Sequence, residues 1–154
     1  MSVIDRWTPE GLRLKAALKE LDKLEVAVGY QAGSGAEENG VDIGDIAAWN
    51  ELGTSRMPSR PFMRQSIDNH AGEINAFMQG MEGELAGGAD AQTILNEVGV
   101  FQKDMIQQEI TNGSFTPNAP ATIARKGSSH PLIDTGRMRQ SVNYIIRAKG
   151  SGGD

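Results

Sequence analysis

The stretch that decides the fold is residues 24–30, which read Leu24-Glu25-Val26-Ala27-Val28-Gly29-Tyr30. Large apolar residues alternate there with smaller or charged ones, and a period of two is typical of a strand that is half buried on one face. A second alternating stretch near the end of the chain is formed by Val142, Tyr144 and Ile146. Because two isolated strands are marginal, we expect them to pair with each other in an antiparallel sheet that lies on helices.

Helical periods lie on both sides of the first strand. Residues 9–21 follow a capping residue, Thr8, and carry one apolar stripe, so they are predicted to form a helix. The stripe consists of Leu14, Leu18 and Leu21. After the strand, a short helix should begin behind Asp42, which can cap it, and end in a left-handed turn at Gly53.

Two long helices are predicted in the middle of the chain. Residues 62–85 repeat apolar side chains at spacings of four and three, which is typical of one long amphipathic helix. Asp90 can cap the next helix, which ends at Asn112-Gly113, and the short connection favours antiparallel packing. Residues 114–132, the proline loop, hold three of the six prolines and at most a short helical turn. These patterns predict an α+β fold in which a small antiparallel sheet packs against two long helices, with a long proline-containing loop.

Length and composition bound the organisation of the chain. A length of 154 residues favours one domain, which we assign to residues 1–149, followed by a flexible tail over 150–154. The absence of cysteine excludes a disulfide scaffold, a cysteine protease, a zinc knuckle and a thiol redox site. The sequence has no long apolar run and its first residues do not resemble a signal peptide, so we expect cytoplasmic synthesis and no membrane association.

The sequence contains one enzymatic alternative, at residues 132–136. Two apolar residues before Asp-Thr-Gly resemble the way aspartic proteases present a catalytic carboxylate, here Asp134. That chemistry needs two carboxylates that share a proton, so a dimer mate would have to supply the second. In the structural interpretation, Asp134 or Thr135 caps a short helix and Gly136 allows a tight turn. The two histidines lack the paired spacing of metal ligands, so we predict no catalytic, cofactor-binding or metal-binding residue and no enzyme.

Charge is distributed in blocks of one sign. The net charge of −5 argues against a general nucleic-acid binder, because phosphate contacts need a surplus of bases. Residues 24–54 and 65–102 each hold six acids and no Lys or Arg, whereas residues 123–149 hold six bases and one acid. Three arginines also lie in the proline-containing connector between the two acidic blocks. Such blocks suit complementary contacts between subunits, although they are also compatible with solvated faces.

Two segments together resemble a known family. The first is residues 46–54 continued through residues 58–64, and the second is residues 122–127 followed by residues 131–138. Their order and spacing resemble the tailed-bacteriophage neck or tail-completion family, which includes HK97-like tail-component proteins and the virion-morphogenesis proteins of Mu-like phages. The matching residues are Asn50, Glu51, Gly53, Thr54, Pro58, Arg60, Pro61, Phe62, Pro131, Leu132, Thr135 and Gly136. Leu52 stands where the family commonly has an aromatic residue.

The resemblance implies a virion protein without enzymatic activity or cofactor. Such proteins are added at the head–tail junction as a ring of identical subunits. Six-fold symmetry is favoured where the ring matches a six-fold tail, and twelve-fold symmetry is possible where it matches the head connector. The implied neighbours are the head connector or adaptor and the tail terminator or tail tube proteins. DNA would pass through the lumen without sequence-specific binding. The chain would reside in the virion neck or tail, and in the host cytoplasm during assembly; a tail terminator or minor tail protein is the alternative within this class.

Seven residues are predicted to contact neighbouring subunits or partner proteins. Arginine gives planar, bidentate contacts, and prolines lower the cost of ordering a docking segment. The predicted contact residues are Arg56, Arg60, Phe62, Arg64, Arg125, Arg137 and Arg139. Charge reversal at Arg60 is expected to leave the protomer folded and to prevent assembly.

Overall fold

The structure, a computed structural model, describes residues 6–127, 129–134 and 136–152. Its elements in chain order are helix α1 (Pro9–Lys23), strand β1 (Leu24–Gly29), helices α2 (Ile43–Leu52), α3 (Phe62–Asp68), α4 (Ala71–Ala86), α5 (Ala91–Asn112), α6 (Pro120–Lys126) and α7 (Arg137–Gln140), and strand β2 (Asn143–Ala148). The strands pair antiparallel with Val26 opposite Ile146, as predicted. The predicted α+β class is confirmed.

The predicted helix starts are confirmed where a side chain caps the first turn. Thr8 accepts a hydrogen bond from the Gly11 amide at 3.0 Å, and Asp42 accepts one from the Gly44 amide at 2.8 Å. Asp90 accepts a hydrogen bond from the Thr93 amide at 2.8 Å, which lowers the pKa of Asp90. Each cap satisfies a backbone N–H that has no partner inside its helix, so the starting residues could be identified locally.

The inward face of α1 differs from the predicted stripe. Ala17 is buried, Leu14 and Leu21 are partly buried, and Leu18 is 51% exposed. Spacings of three and four residues place Leu14, Ala17 and Leu21 on one side of the helix. Leucine at position 18 therefore lies on the solvent side, and the prediction that it belongs to the buried stripe is wrong.

The sheet lies on α5, the longest helix. Gly99 of α5 makes this approach possible, because an added Cβ there would collide with the ring of Tyr144 in β2. The Tyr144 hydroxyl donates a hydrogen bond to Asn96 Oδ1 at 3.0 Å. Helix α4 packs on α1, α3 and α5.

The helix predicted over residues 62–85 is two helices, α3 and α4, which are separated at Asn69 and His70. Asn69 Nδ2 donates a hydrogen bond to one oxygen of Glu109 in α5 at 3.3 Å, and His70 Nε2 lies 2.9 Å from the other. The apolar period runs on across the break, so it could not reveal this change of direction. The prediction of a single helix is wrong because a tertiary contact to α5 decides where the chain turns.

Helices α4 and α5 pack antiparallel, as predicted from their short connection. Phe77 stacks on Phe101 with ring centroids 4.0 Å apart. Closer to the connection, the side chain of Glu84 hydrogen-bonds Glu97 and raises the pKa of Glu97. Residues later in α4 thus contact residues earlier in α5, which is the order expected of antiparallel helices.

The main hydrophobic core is built from α2, α3, α5, α7 and the segments beside α7. Its buried members are Ile43, Ala47, Phe62, Ile106, Ile110, Leu132, Met138 and Val142. Val28 and Tyr30 pack against this cluster from the first strand and the residue after it. The core therefore joins both segments of the family resemblance in one packed unit.

The turn before α7 is partly as predicted. Gly136 has a φ of +82° and precedes the first helical residue, which confirms the tight turn. No side chain of the described residues caps α7, so the prediction that Asp134 caps it is wrong, and Thr135 lies outside the described residues. After β2, the Ser151 amide donates a hydrogen bond to the Ala148 carbonyl at 3.1 Å, so the predicted tail begins with a turn.

Candidate functional site

The two segments that carry the resemblance meet around an open cleft of about 650 Å³. Its walls come from α2, the connector at residues 53–61, the proline loop with α6, and the approach to α7. Its charged lining residues are Glu37, Glu38, Arg56, Arg60, Arg125, Lys126 and Asp134. This cleft and the surface beside it form the candidate site.

The connector is folded by residues of its own motif. Thr54 Oγ1 accepts hydrogen bonds from the amides of Arg56 and Met57, both at 3.1 Å. Gly53 has a φ of +76°, and an added Cβ would lie 2.9 Å from the Ser59 nitrogen. A side chain at position 53 would therefore be strained by its backbone conformation and would also clash with the connector. These contacts order the connector, although it has no regular secondary structure.

Glu51 of α2 caps α3 from outside that helix. Its Oε2 accepts a hydrogen bond from the Met63 amide at 2.9 Å, and its Oε1 accepts one from the Arg64 amide at 3.1 Å. Pro61 occupies the N-cap position of α3 and has no side chain that can accept these bonds. The carboxylate also meets the positive end of the α3 dipole. Glu51 of the motif thus ties the start of α3 to the end of α2.

Arg60 is buried inside the protomer, with 5% of its surface exposed. Its Nε donates a hydrogen bond to the Thr116 carbonyl at 2.8 Å, and its Nη2 donates one to the Pro117 carbonyl at 3.2 Å. Burial lowers the pKa of Arg60. The prediction that Arg60 contacts a partner is wrong because the guanidinium fastens the proline loop to the connector. Charge reversal there would disrupt the protomer itself.

Phe62 is a core residue and not a contact residue. It is fully buried, and the ring of Tyr30 meets it edge-on with centroids 6.4 Å apart. The Tyr30 hydroxyl donates a hydrogen bond to the Met138 carbonyl at 2.8 Å, and burial raises the pKa of Tyr30. The two prolines before Phe62 suggested an exposed docking element, but the helix that they start turns this ring inward.

Arg137 and Arg139 make contacts within the protomer. The Arg137 guanidinium lies 3.9 Å from the carboxylate of Glu37 and 3.8 Å from that of Glu38. Arg139 Nε donates a long hydrogen bond to the Gln107 carbonyl at 3.4 Å. Part of the acidic block before α2 is therefore neutralised by the basic block near the end of the same chain.

The remaining predicted contact residues, Arg56, Arg64 and Arg125, are exposed. None of the ion pairs in the described part of the chain involves any of the three. Because a guanidinium group that makes no ion pair can meet a second protein without first losing one, these three remain predicted contact residues.

Asp134, the enzymatic alternative, lies exposed at the rim of the cleft. Its charge acts on Lys126 of α6, where burial lowers the pKa of the ammonium and Asp134 partly opposes that shift. A surface carboxylate that stabilises a neighbouring ammonium needs no catalytic explanation.

Sequence reasoning missed the outer face of α2, which consists of Ala48, Trp49 and Leu52. Trp49 is 44% exposed and Leu52 is 79% exposed, while Ile43 and Ala47 on the opposite side are buried. The signal was present in the sequence, because Ala48, Trp49 and Leu52 are apolar although they lie outside the stripe that Ile43 and Ala47 bury.

No family model, curated protein or solved structure matches this chain. Among the described residues, no group of three or more histidine or carboxylate side chains could hold a metal ion. No helix in the described ranges combines the length and the apolar content that crossing a membrane requires.

Proposed function

We propose that this chain is a structural virion protein of a tailed bacteriophage, which acts at the head–tail junction as a neck or tail-completion protein and assembles as a ring. The observation that carries the proposal is that both resembling segments form one packed unit. Asn50 Nδ2 of the first segment lies 4.0 Å from Met138 Sδ of the second. Arg60 of the first also binds the loop that leads to the second. Similarities that arose by chance in two segments would not be expected to support each other in this way.

The surface charges favour assembly through two different faces. Arg56, Arg64 and Arg125 are exposed without ion pairs to described residues, whereas α4 is acidic and exposed, with no Lys or Arg from residue 65 to residue 102. A closed ring is heterologous: each subunit presents one surface to one neighbour and a different surface to the next. Opposite charges on separate elements suit that arrangement.

In the proposed role, the chain binds its neighbours and catalyses no reaction. The motif residues Glu51, Gly53, Thr54 and Arg60 hold the connector, α3 and the proline loop in place. A rigid protomer loses little conformational entropy when it joins an assembly. The net charge of −5 is compatible with DNA that passes nearby without adhering.

Electron microscopy of lysates tests the proposal. We expect a phage or prophage with a null allele of this gene to yield full heads beside separate tails, and a plasmid copy of the gene to restore joined particles. Tails of abnormal length on joined particles would instead indicate a tail terminator. Intact, infectious particles from the null allele would refute the proposal.

The same complementation assay separates binding from catalysis. We expect a plasmid copy with Asp134→Asn to restore joined particles as well as the wild-type copy does, because the proposed role needs no carboxylate chemistry at that position. Failure of this variant, with the protein still folded by circular dichroism, would favour the aspartic protease alternative.

A further inference from the structure

The outer face of α2 is a candidate interface. Trp49 and Leu52 lie three residues apart, so their side chains are neighbours on the helix surface, and Ala48 completes the apolar part of the face one turn before Leu52. The exposed Asp45 bounds this face toward the start of the helix. Leu52, which ends the helix, is more exposed than any other large hydrophobic residue of the described chain. Water contacts these side chains in the protomer, whereas the inner side of the same helix is buried in the core. An exposed apolar face of this kind on a folded protein marks a contact with another protein.

Positive charge lies at the C-terminal end of this face. Arg56 follows α2 by four residues, and the Thr54 turn orders the segment between them. Arg64 is held at the same end because the Glu51 carboxylate, one residue before Leu52, binds the Arg64 amide at 3.1 Å. A tryptophan and two arginines around an apolar centre have the composition of an interface hot spot.

A surface with complementary properties exists on α4 of the same chain. Met78 is 47% exposed, and Glu82 lies exposed one turn further along. Glu84 does not belong to this surface, because it faces Glu97 of α5. No Lys or Arg occurs between residue 65 and residue 102 to neutralise Glu82. This surface therefore offers an apolar side chain beside a negative charge, which matches an apolar face beside two arginines.

We propose that the outer face of α2 docks on α4 of a second copy of this chain. Trp49 and Leu52 cover Met78, and the two arginines face Glu82. The inference rests on the proposed function and deepens it, because it names the two different surfaces that a heterologous ring needs. Each copy then uses α2 toward one neighbour and α4 toward the other, so the contact can repeat until the ring closes.

Mixing two half-defective variants tests this arrangement. Leu52→Glu places an acid on the α2 face, and Met78→Glu places one on the α4 face; both positions are exposed, so the protomer should stay folded. In sedimentation velocity, we expect the wild-type chain to form closed oligomers and each variant alone to associate at least about thirtyfold more weakly, as loss of a hot spot does. An equimolar mixture should form dimers and nothing larger, because only one intact α2 face meets one intact α4 face.

Cysteine cross-linking provides a second measurement that does not depend on charge. The chain has no cysteine, so Leu52→Cys and Met78→Cys introduce single defined thiols. Under mild oxidation, we expect the mixture of the two single variants to form a disulfide-linked dimer. The matched control pairs Leu52→Cys with Val100→Cys. Val100 is as exposed as Met78 but lies on α5, outside the proposed contact.

The outcomes separate this inference from the proposed function. Variants that assemble like the wild type, or cross-linking no greater than in the control pair, would overturn the α2–α4 contact and leave the virion role intact. A wild-type chain that stays monomeric at the highest concentration, without cross-links, would also overturn it and point to a different protein as the occupant of the α2 face. Infectious particles from the null allele would overturn the proposed function itself.

Discussion

The Glu51 cap gives the sharpest prediction about the motif. Glu51→Ala removes both acceptors that serve the first turn of α3, at 2.9 Å from the Met63 amide and 3.1 Å from the Arg64 amide. No other cap replaces them, because Pro61 at the N-cap position makes no side-chain hydrogen bond. Water can reach the partly exposed site and can satisfy the amides in part, so each bond should contribute about 1 kcal/mol to stability.

The expected loss is therefore about 2 kcal/mol for Glu51→Ala and about 1 kcal/mol for Glu51→Gln, which keeps one carbonyl oxygen. For a chain of 154 residues, a loss of about 2 kcal/mol corresponds to a fall in melting temperature of roughly 4–8 °C. Circular dichroism melts and urea titrations of the purified chain measure both quantities. Glu38→Ala is the matched control, because the side chain of Glu38 is 84% exposed and caps no helix of the described structure.

Two results would refute the reasoning about Glu51. If Glu51→Ala melted at the same temperature as the Glu38→Ala control, the carboxylate would not be capping α3. If the Glu51→Ala protein kept wild-type stability but failed to restore particles in the complementation assay, the motif carboxylate would be a contact with a partner protein and not a structural cap.

Three further predictions test other parts of the structure. Arg60→Met should lower the free energy of unfolding by about 2 kcal/mol and accelerate amide exchange in the proline loop, because two loop carbonyls lose the hydrogen bonds that hold them to the connector; unchanged exchange would contradict this. Hydrogen bonds to the carboxylates of Glu73 and Glu109 raise the pKa of His70. The stabilisation that protonated His70 gives to the fold is therefore complete below its ordinary pKa of about 6.5 and is lost as pH rises through the raised pKa. In urea titrations, the free energy of unfolding should fall above about pH 6.5 in the wild type and in the His130→Gln control. In His70→Gln, this fall should be smaller by the share that His70 supplies. Gly53→Ala should destabilise by about 1–3 kcal/mol, whereas Gly80→Ala, where an added Cβ meets open space, should stabilise by up to about 1 kcal/mol; equal melting temperatures would refute the strain at Gly53.

The parts of the fold that sequence could predict are those decided by neighbouring residues. Helix starts at Thr8, Asp42 and Asp90 depend on a side chain that reaches two or three residues ahead, so a short window contains the whole interaction. The turns at Gly53 and Gly136 depend on one backbone dihedral angle that glycine adopts readily. The strands were recognisable because a period of two differs from a helical period over six residues.

The parts that sequence could not predict depend on partners far along the chain. The break between α3 and α4 depends on Glu109, about forty residues away, which receives hydrogen bonds from Asn69 and His70. Arg60 was predicted to contact a partner because it lies among prolines and arginine gives planar, bidentate contacts, yet its partners are backbone carbonyls 56 and 57 residues further on. Carbonyl groups carry no sequence signal, so no residue pattern could have indicated that this guanidinium is internal.

The corrected residues also change where an interface should be sought. Arg60, Phe62 and Glu51 match the family motif, and all three act inside the protomer. Trp49 and Leu52 lie among the same residues, are exposed and match no motif position, since leucine at 52 replaces a common aromatic. A motif whose residues hold a scaffold can recur in proteins that bind different neighbours, because exposed positions such as 49 and 52 can change without disturbing the residues that hold it. On that reasoning, we expect the outer face of α2 and its flanking arginines to decide which neighbouring subunit is bound, and exchanging these residues between two such proteins should change the subunit each one binds while both remain folded.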